Sequence, residues 1–304
     1  MPQKSKRSIS IFQLCDLWQQ YSAFRQSQVS PSTYKRDYAK LTRRLARLQK
    51  EAPSLKTSIE IRDWLLANYS LETARRTLVQ CNAAIKWAMN SDLLESNPFE
   101  GITSQIRKPL KSDRSYVAFT IPERDIIIQE FATTYLPGLA WVKFLFYTGA
   151  RPEEAAALRW EHISTDYREI LIEEAFPVDM PEAQATKNGK VTRFPCNVRL
   201  QGLLRMQHPR GCDRNNFVFP GSRGGRFDYH NFQTKHWKPL VQSLRDRGYL
   251  AFYLPQYNAR HTFITEALRN DLSVDEVAYL CRVTPKVIYE HYVSRTRTIT
   301  VPEF

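Results

Sequence analysis

Two arginines, a lysine and a tyrosine stand out because their side chains together suit covalent chemistry on a phosphodiester. Arg151 lies in Thr148-Gly149-Ala150-Arg151-Pro152-Glu153-Glu154, and Lys187 in Thr186-Lys187-Asn188-Gly189-Lys190. Arg260 lies in Tyr257-Asn258-Ala259-Arg260-His261-Thr262-Phe263, and Tyr292 ends Ile288-Tyr289-Glu290-His291-Tyr292. A phosphodiester under attack gathers negative charge on its non-bridging oxygens, which fixed planar guanidiniums can hold. A phenol is a poor nucleophile until deprotonated, so a cationic neighbourhood is what would activate it. A lysine can protonate the leaving oxygen. Taken singly, a lysine beside a turn or a tyrosine at a helix end is ordinary; the set is what points to chemistry.

Each member depends on a particular local structure. Leu139, Trp141, Val142, Phe144, Leu145 and Phe146 make a buried helix that stops at Gly149. Pro152-Glu153-Glu154 starts another helix, so Arg151 sits at a sharp turn held between buried helices. Glu154, one turn on, can fix its guanidinium in one rotamer. Glu169 to Glu173 alternates as a strand, Val191 to Pro195 reads as its return, and Asn188-Gly189 is the hairpin turn. Lys187 directly precedes that turn, and a mobile tip can carry it into a site after substrate binds. Phe219 to Arg226 lacks the spacing and ending of a P-loop and reads as a turn, with Arg223 and Arg226 available for backbone contacts. Asn231 to Arg247 reads as a long basic amphipathic helix. The segment from Tyr257 opens a helix, Ser273-Val274-Asp275-Glu276 is a capping box, and Thr284-Pro285 caps the last helix, which buries Val287 and Ile288. Tyr289, nearly one turn from Tyr292, is a rival nucleophile.

The first hundred residues read as a compact helical unit. Its second helix, after Ser30-Pro31, places Tyr34, Tyr38, Leu41, Leu45 and Leu48 on one stripe and Lys35, Arg36, Lys40, Arg43, Arg44, Arg47 and Lys50 elsewhere. Such a face is either simply solvated or lies along phosphates. From Gly101 to Val117 the apolar periodicity disappears, leaving a basic connector with Arg107, Lys108, Lys111 and Arg114. Thr120-Ile121-Pro122-Glu123 then opens a helix through about Tyr135.

Over 304 residues, 44 Lys+Arg against 31 Asp+Glu leave a net charge of +13, which suits a polyanion: nucleic acid or an anionic membrane surface. No run approaches the roughly 18 apolar residues of a membrane span. The short basic start leads into a helix with Asp16, which argues against a secretory signal. Nucleic acid is therefore the better fit. Five scattered cysteines with no Cys-x-x-Cys pair read as reduced thiols, and no metal site is expected.

On these motifs the chain resembles the phage-integrase family of tyrosine recombinases, over nearly everything after the first seven residues. The resemblance implies a mainly α fold with a small β-hairpin or sheet. Residues 1–100 would be a helical core-binding domain, 101–116 a basic linker, and 117–304 an α+β catalytic domain. It implies a site-specific recombinase or integrase of a phage or other mobile element, with or without an excision factor. Tyr292 would attack the scissile phosphate, displace a 5′-hydroxyl and form a 3′-phosphotyrosyl bond. Arg151 and Arg260 would clamp the phosphate, Lys187 would be the general acid, and Tyr257 with His261 would complete the polar shell. No cofactor is implied, neither ATP nor metal. The implied partner is double-stranded DNA, held by a C-shaped clamp in a homo-tetramer on two sites, with accessory DNA-bending proteins possible, in the cytoplasm at the nucleoid. The chain departs from the family twice. Tyr257 stands where a histidine or lysine is usual, and counting back from Tyr292 puts Val283, beside Arg282, where a histidine or tryptophan is usual. Two other readings stay open: a DNA-binding clamp without chemistry, and a type IB topoisomerase-like nicking enzyme. The short segment before the first helix leads us to expect simple inverted core sites without arm-type sites.

Overall fold

The computed structural model describes residues 8–107, 116–177, 180, 182–186, 189 and 191–293. Among the described residues the chain is mostly helical with two small sheets, and its contacts divide it into two compact units, Met1–Lys111 and Ser112–Phe304. Among the described residues, no helix is long and apolar enough to cross a membrane.

The first unit contains α1 (Ile11–Arg25), α2 (Pro31–Thr33), α3 (Ala39–Glu51), α4 (Ser58–Asn68) and α5 (Leu71–Asn90). Ser10, Ser30, Thr57 and Ser70 cap four of these helices by accepting a backbone N–H three residues on. A π-turn over Tyr34–Tyr38 joins α2 to α3, so the helix expected after Ser30-Pro31 is one rod with a widened turn. Leu41, Leu45 and Leu48 of α3 are buried with Leu14 and Trp18 of α1 and with Leu78 and Ile85 of α5. The basic face of α3 is partly engaged within the unit. Arg44 and Arg47 lie over the Tyr69 ring, at 5.9 and 5.4 Å from its centroid, and Arg47 also lies over Trp64.

The second unit runs α6 (Ile121–Thr134), α7 (Leu136–Thr148), α8 (Pro152–Ala157), β1 (Glu169–Ile172), β2 (Glu174–Ala175), β3 (Gln184–Ala185), β4 (Thr192–Pro195), α9 (Val198–Gln207), α10 (Tyr229–Phe232), α11 (Lys238–Asp246), α12 (Asn258–Arg269), α13 (Val274–Cys281) and α14 (Pro285–Ile288). The capping boxes expected at Thr120 and Ser273 are both formed. The basic helix expected over Asn231 to Arg247 is α10 and α11 joined by a π-turn over Gln233–Trp237. Most of α7 is buried in the main core, against α6, α9 and α12. Two buried indoles fix the chain just before α12: Trp141 Nε1 donates to Gln256 Oε1 (3.1 Å) and Trp237 Nε1 to the Leu254 carbonyl (2.9 Å). A second, smaller cluster joins α12, α13 and α14 and includes Ile264, Leu268, Val277, Ile288 and Tyr292.

The sheet corrects one expectation. β1 does pair antiparallel with β4, from Glu169 opposite Pro195 to Ile172 opposite Thr192, with Ile170, Ile172, Thr192 and Phe194 facing the core. The connection is no simple hairpin, because β2 and β3 form a second short ladder within it. The turn containing Gly189 therefore links β3 to β4, which belong to different ladders, rather than joining β1 to its partner. Gly189 donates its N–H to the Thr186 carbonyl at 2.7 Å. Lys187 and Asn188 lie outside the described residues.

Gly149 ends α7 with φ +60°, and a Cβ there would come within 2.6 Å of the Phe263 ring. Gly149→Ala should cost about 2 kcal/mol or more, combining left-handed strain of roughly 1–2 kcal/mol with overpacking of roughly 1–3 kcal/mol. Urea unfolding of the variant measures this; an unchanged midpoint would mean that the ring yields freely.

Candidate active site

Arg151 follows the left-handed Gly149 by two residues and is the N-cap of α8. Its backbone N–H donates to Glu154 Oε2 (2.8 Å) and its Nη1 to Glu154 Oε1 (2.5 Å). One carboxylate thus closes the helix start and orients the guanidinium. The other terminal nitrogen, Nη2, donates to the Arg282 carbonyl at 3.2 Å. Arg260, in the first turn of α12, is only 2% exposed. It donates to the Gly149 carbonyl at 2.7 Å and to the Cys281 carbonyl. The two arginines singled out from the sequence therefore meet between the glycine stop of α7 and the C-terminal end of α13. That end of a helix carries partial negative charge, which favours cations beside it.

A third guanidinium belongs to the same place. Arg282 caps α13 in the left-handed conformation, at φ +54° and ψ +46°. It donates from Nη1 to the Leu280 carbonyl (2.8 Å) and from Nη2 to Glu154 Oε2 (2.7 Å), with both partners of the ion pair buried. Burial opposes ionisation of Glu154, but the pairing with Arg282, and then with Arg151, outweighs it and holds the pKa at about 2. The sequence carried a hint of this residue: an arginine placed directly after the largely apolar run Val277 to Cys281.

Tyr292 lies in a π-turn, Tyr289–Val293, that continues α14. It is 3% exposed, and its hydroxyl is 2.5 Å from His261 Nδ1. Tyr116 meets the Tyr292 ring edge-on at 5.6 Å and stacks on His291 at 3.9 Å. No sequence pattern marks Tyr116, a single aromatic at the end of the basic connector. Burial pushes the Tyr292 phenol pKa up, while Arg260 acts in the opposite direction. Tyr116, Tyr257, Arg260, His261, Val283 and Tyr292 line one cleft of about 400 Å³. Tyr289 is 60% exposed and is not on that wall.

Among the remaining expected residues, Tyr257 is the N-cap of α12 and packs against the His261 ring with centroids 5.4 Å apart. Val283 presents an apolar side chain to the cleft. Lys187 cannot be placed, since it lies outside the described residues. Arg226, expected to be available to a DNA backbone, is instead engaged within the protein. It donates to the Met180 carbonyl (2.8 Å) and the Pro177 carbonyl (3.4 Å) and lies over Phe176. Among the described residues, no group of three or more His, Cys, Asp or Glu is placed to hold a metal ion.

Residues 123–294 match the family model of the phage integrase family. No curated protein matches the chain. Among solved structures, the Tn1549 transposon integrase in complex with a circular intermediate DNA superposes with a TM-score of 0.76 at 17% identity, covering 92% of this chain and 95% of that one. A lambda integrase dimer bound to a COC' core site superposes with a TM-score of 0.70 at 12% identity, covering 97% of this chain and 81% of that one. At such identities the likeness to these structures is one of fold.

Glu154 makes stability depend on pH with a definite sign. Its folded pKa of about 2 lies below the ordinary 4.5, so its contribution is full above pH 4.5 and is lost as the pH falls towards 2. Glu154→Gln should flatten the acid side of the stability profile across that window, read as urea midpoint against pH. An acid slope identical to wild type would assign acid sensitivity to other carboxylates.

Proposed function

The chain belongs to the phage integrase family, and from that premise we propose that the cleft beside α13 is its DNA-cleavage site. The protein is a tyrosine recombinase of the integrase kind, breaking and rejoining DNA through a 3′-phosphotyrosyl intermediate. The observation that carries the site assignment is the convergence of Arg151 and Arg260 on the end of α13, with Tyr292 on the same cleft wall as Arg260.

In this reading the scissile phosphate enters the cleft and is held by Arg151 and Arg260, whose planar donors match the charge that develops on its oxygens. The Tyr292 oxygen attacks phosphorus, and its proton passes to His261 Nδ1, already 2.5 Å away. The bond to the 5′-oxygen breaks, and Lys187 supplies the proton that makes the free 5′-hydroxyl. Tyr257, on the cleft wall, adds a phenolic donor for a phosphate oxygen. The phosphotyrosyl bond then keeps the energy needed for rejoining to a partner strand. Because Tyr292 is buried, DNA entry has to displace the cover that includes Tyr116.

Double-stranded DNA is the partner that the net charge of +13 and the basic face of α3 support. Exchange between two duplexes calls for four cleavages, so a homo-tetramer on two sites is the proposed assembly. Accessory DNA-bending proteins are the further partner class, and the nucleoid in the cytoplasm is the proposed place of action.

The test needs no known target sequence. The protein is incubated with mixed genomic fragments carrying nicks, denatured, and examined for covalently attached DNA, and the linked peptide is mapped. Attachment is expected at Tyr292. Tyr292→Phe should abolish it and Tyr289→Phe should retain it. Arg151→Ala or Arg260→Ala should each slow it by a factor of about 100–1,000. Attachment at Tyr289 would overturn the assignment of the nucleophile. Tight, salt-sensitive DNA binding with no adduct on any fragment would favour a clamp without chemistry.

A further inference from the structure

We propose that Arg282 is a positioning residue for strand cleavage, holding Arg151 in place through both its side chain and its backbone. This rests on the reading of Arg151 and Tyr292 given above. Three successive carbonyls at the end of α13 each accept from a different guanidinium. Leu280 accepts from Arg282, Cys281 from Arg260, and Arg282 from Arg151. The turn that exposes them is made by Arg282 itself, in a left-handed conformation.

An arginine is a costly choice at that position. Glycine adopts the left-handed conformation without steric penalty and is the usual residue just past a helix end. Burying a guanidinium adds a desolvation cost that only well-placed partners offset. Arg282 Nε is buried with no hydrogen-bond partner among the described residues, so the side chain is not placed for complete satisfaction of its donors. What it gains is Glu154. Oε2 of that carboxylate accepts from Arg282 Nη2 and from the Arg151 backbone N–H, while Oε1 accepts from Arg151 Nη1. Arg282 therefore fixes the rotation of the carboxylate that orients Arg151, and its carbonyl takes the other end of the same guanidinium. With its side chain 2% exposed and turned to Glu154, Arg282 acts through Arg151 rather than on DNA.

The test compares full-length wild type, Arg282→Gln and Arg282→Gly. The glycine variant preserves the left-handed turn, so loss of the guanidinium is separated from loss of the fold, with thermal unfolding as the check. In the first arm, the side-chain Nε–H resonance of Arg151 is followed by nitrogen-15 NMR without DNA and assigned with Arg151→Lys. The signal should shift or be lost to solvent exchange in both Arg282 variants while they remain folded; an unchanged Arg151 signal would overturn the proposal. In the second arm, adduct formation on nicked DNA should slow about 100-fold, as expected when a reacting group is displaced by about 1 Å. DNA affinity should stay near wild type, and Arg282→Gln added to Arg151→Ala should bring no further loss. Additive losses would mean that Arg282 acts on DNA itself, against the proposal. Absence of an adduct with wild type would sink the functional reading alone, since the first arm still decides whether Arg282 holds Arg151.

Discussion

Three guanidiniums gathered at one largely buried helix end repel one another, and the unit depends on what makes that tolerable. Two like charges about 4 Å apart near a protein surface repel by about 4 kcal/mol, more than a single ordinary hydrogen bond returns. Here the offset comes from one carboxylate and a row of carbonyls. Glu154 stays ionised despite burial because Arg282 and Arg151 hold it so. The carbonyls of Leu280, Cys281 and Arg282 supply the negative end of α13. Gly149 adds a fourth carbonyl, to Arg260, from the stop of α7. The site is thus assembled mainly from backbone acceptors, which come with α7 and α13 already packed into their cores.

The proposed nucleophile obeys a different constraint. Tyr292 belongs to the small cluster of α12, α13 and α14, not to the main core that carries Arg151. Burial raises its pKa and so favours the protonated phenol. In the proposed reaction an arriving phosphate would bring further negative charge, which by itself would make ionisation harder still. The proposed proton acceptor is His261, which is already in hydrogen-bond contact with the phenol. Tyr116 stacked on His291 closes the same wall.

What could be read from the sequence was what local chemistry dictates. The capping boxes at Thr120 and Ser273, the Gly149 stop and the Arg151–Glu154 contact each depend on residues within one turn of one another. The pairing of β1 with β4 was legible because each strand alternates over four residues. β2 and β3 were not, since two residues apiece leave no periodicity to detect. The α13 carbonyls were invisible for a different reason: backbone acceptors have no side-chain signature, and Arg151 reaches Arg282 across a separation of 131 residues. Arg226 looked like a surface cation because nothing local shows that the carbonyls of Pro177 and Met180 turn towards it.

The segment before the proposed nucleophile is where the sequence departs from the pattern that the resemblance led us to expect. Val283 faces the Tyr292 cleft without a donor, and the polar residue beside it, Arg282, turns inward to Glu154. Among the described residues, Tyr116, Tyr257, Arg260 and His261 are polar side chains on that cleft, and Arg151 meets Arg260 at the end of α13. In the proposed site, a guanidinium misplaced by about 1 Å can forfeit about 100-fold in rate. An arginine that turns to Glu154 and whose carbonyl takes the Arg151 guanidinium fits the proposed positioning role. The same reasoning explains why a strained left-handed arginine stands where a glycine would fold more easily.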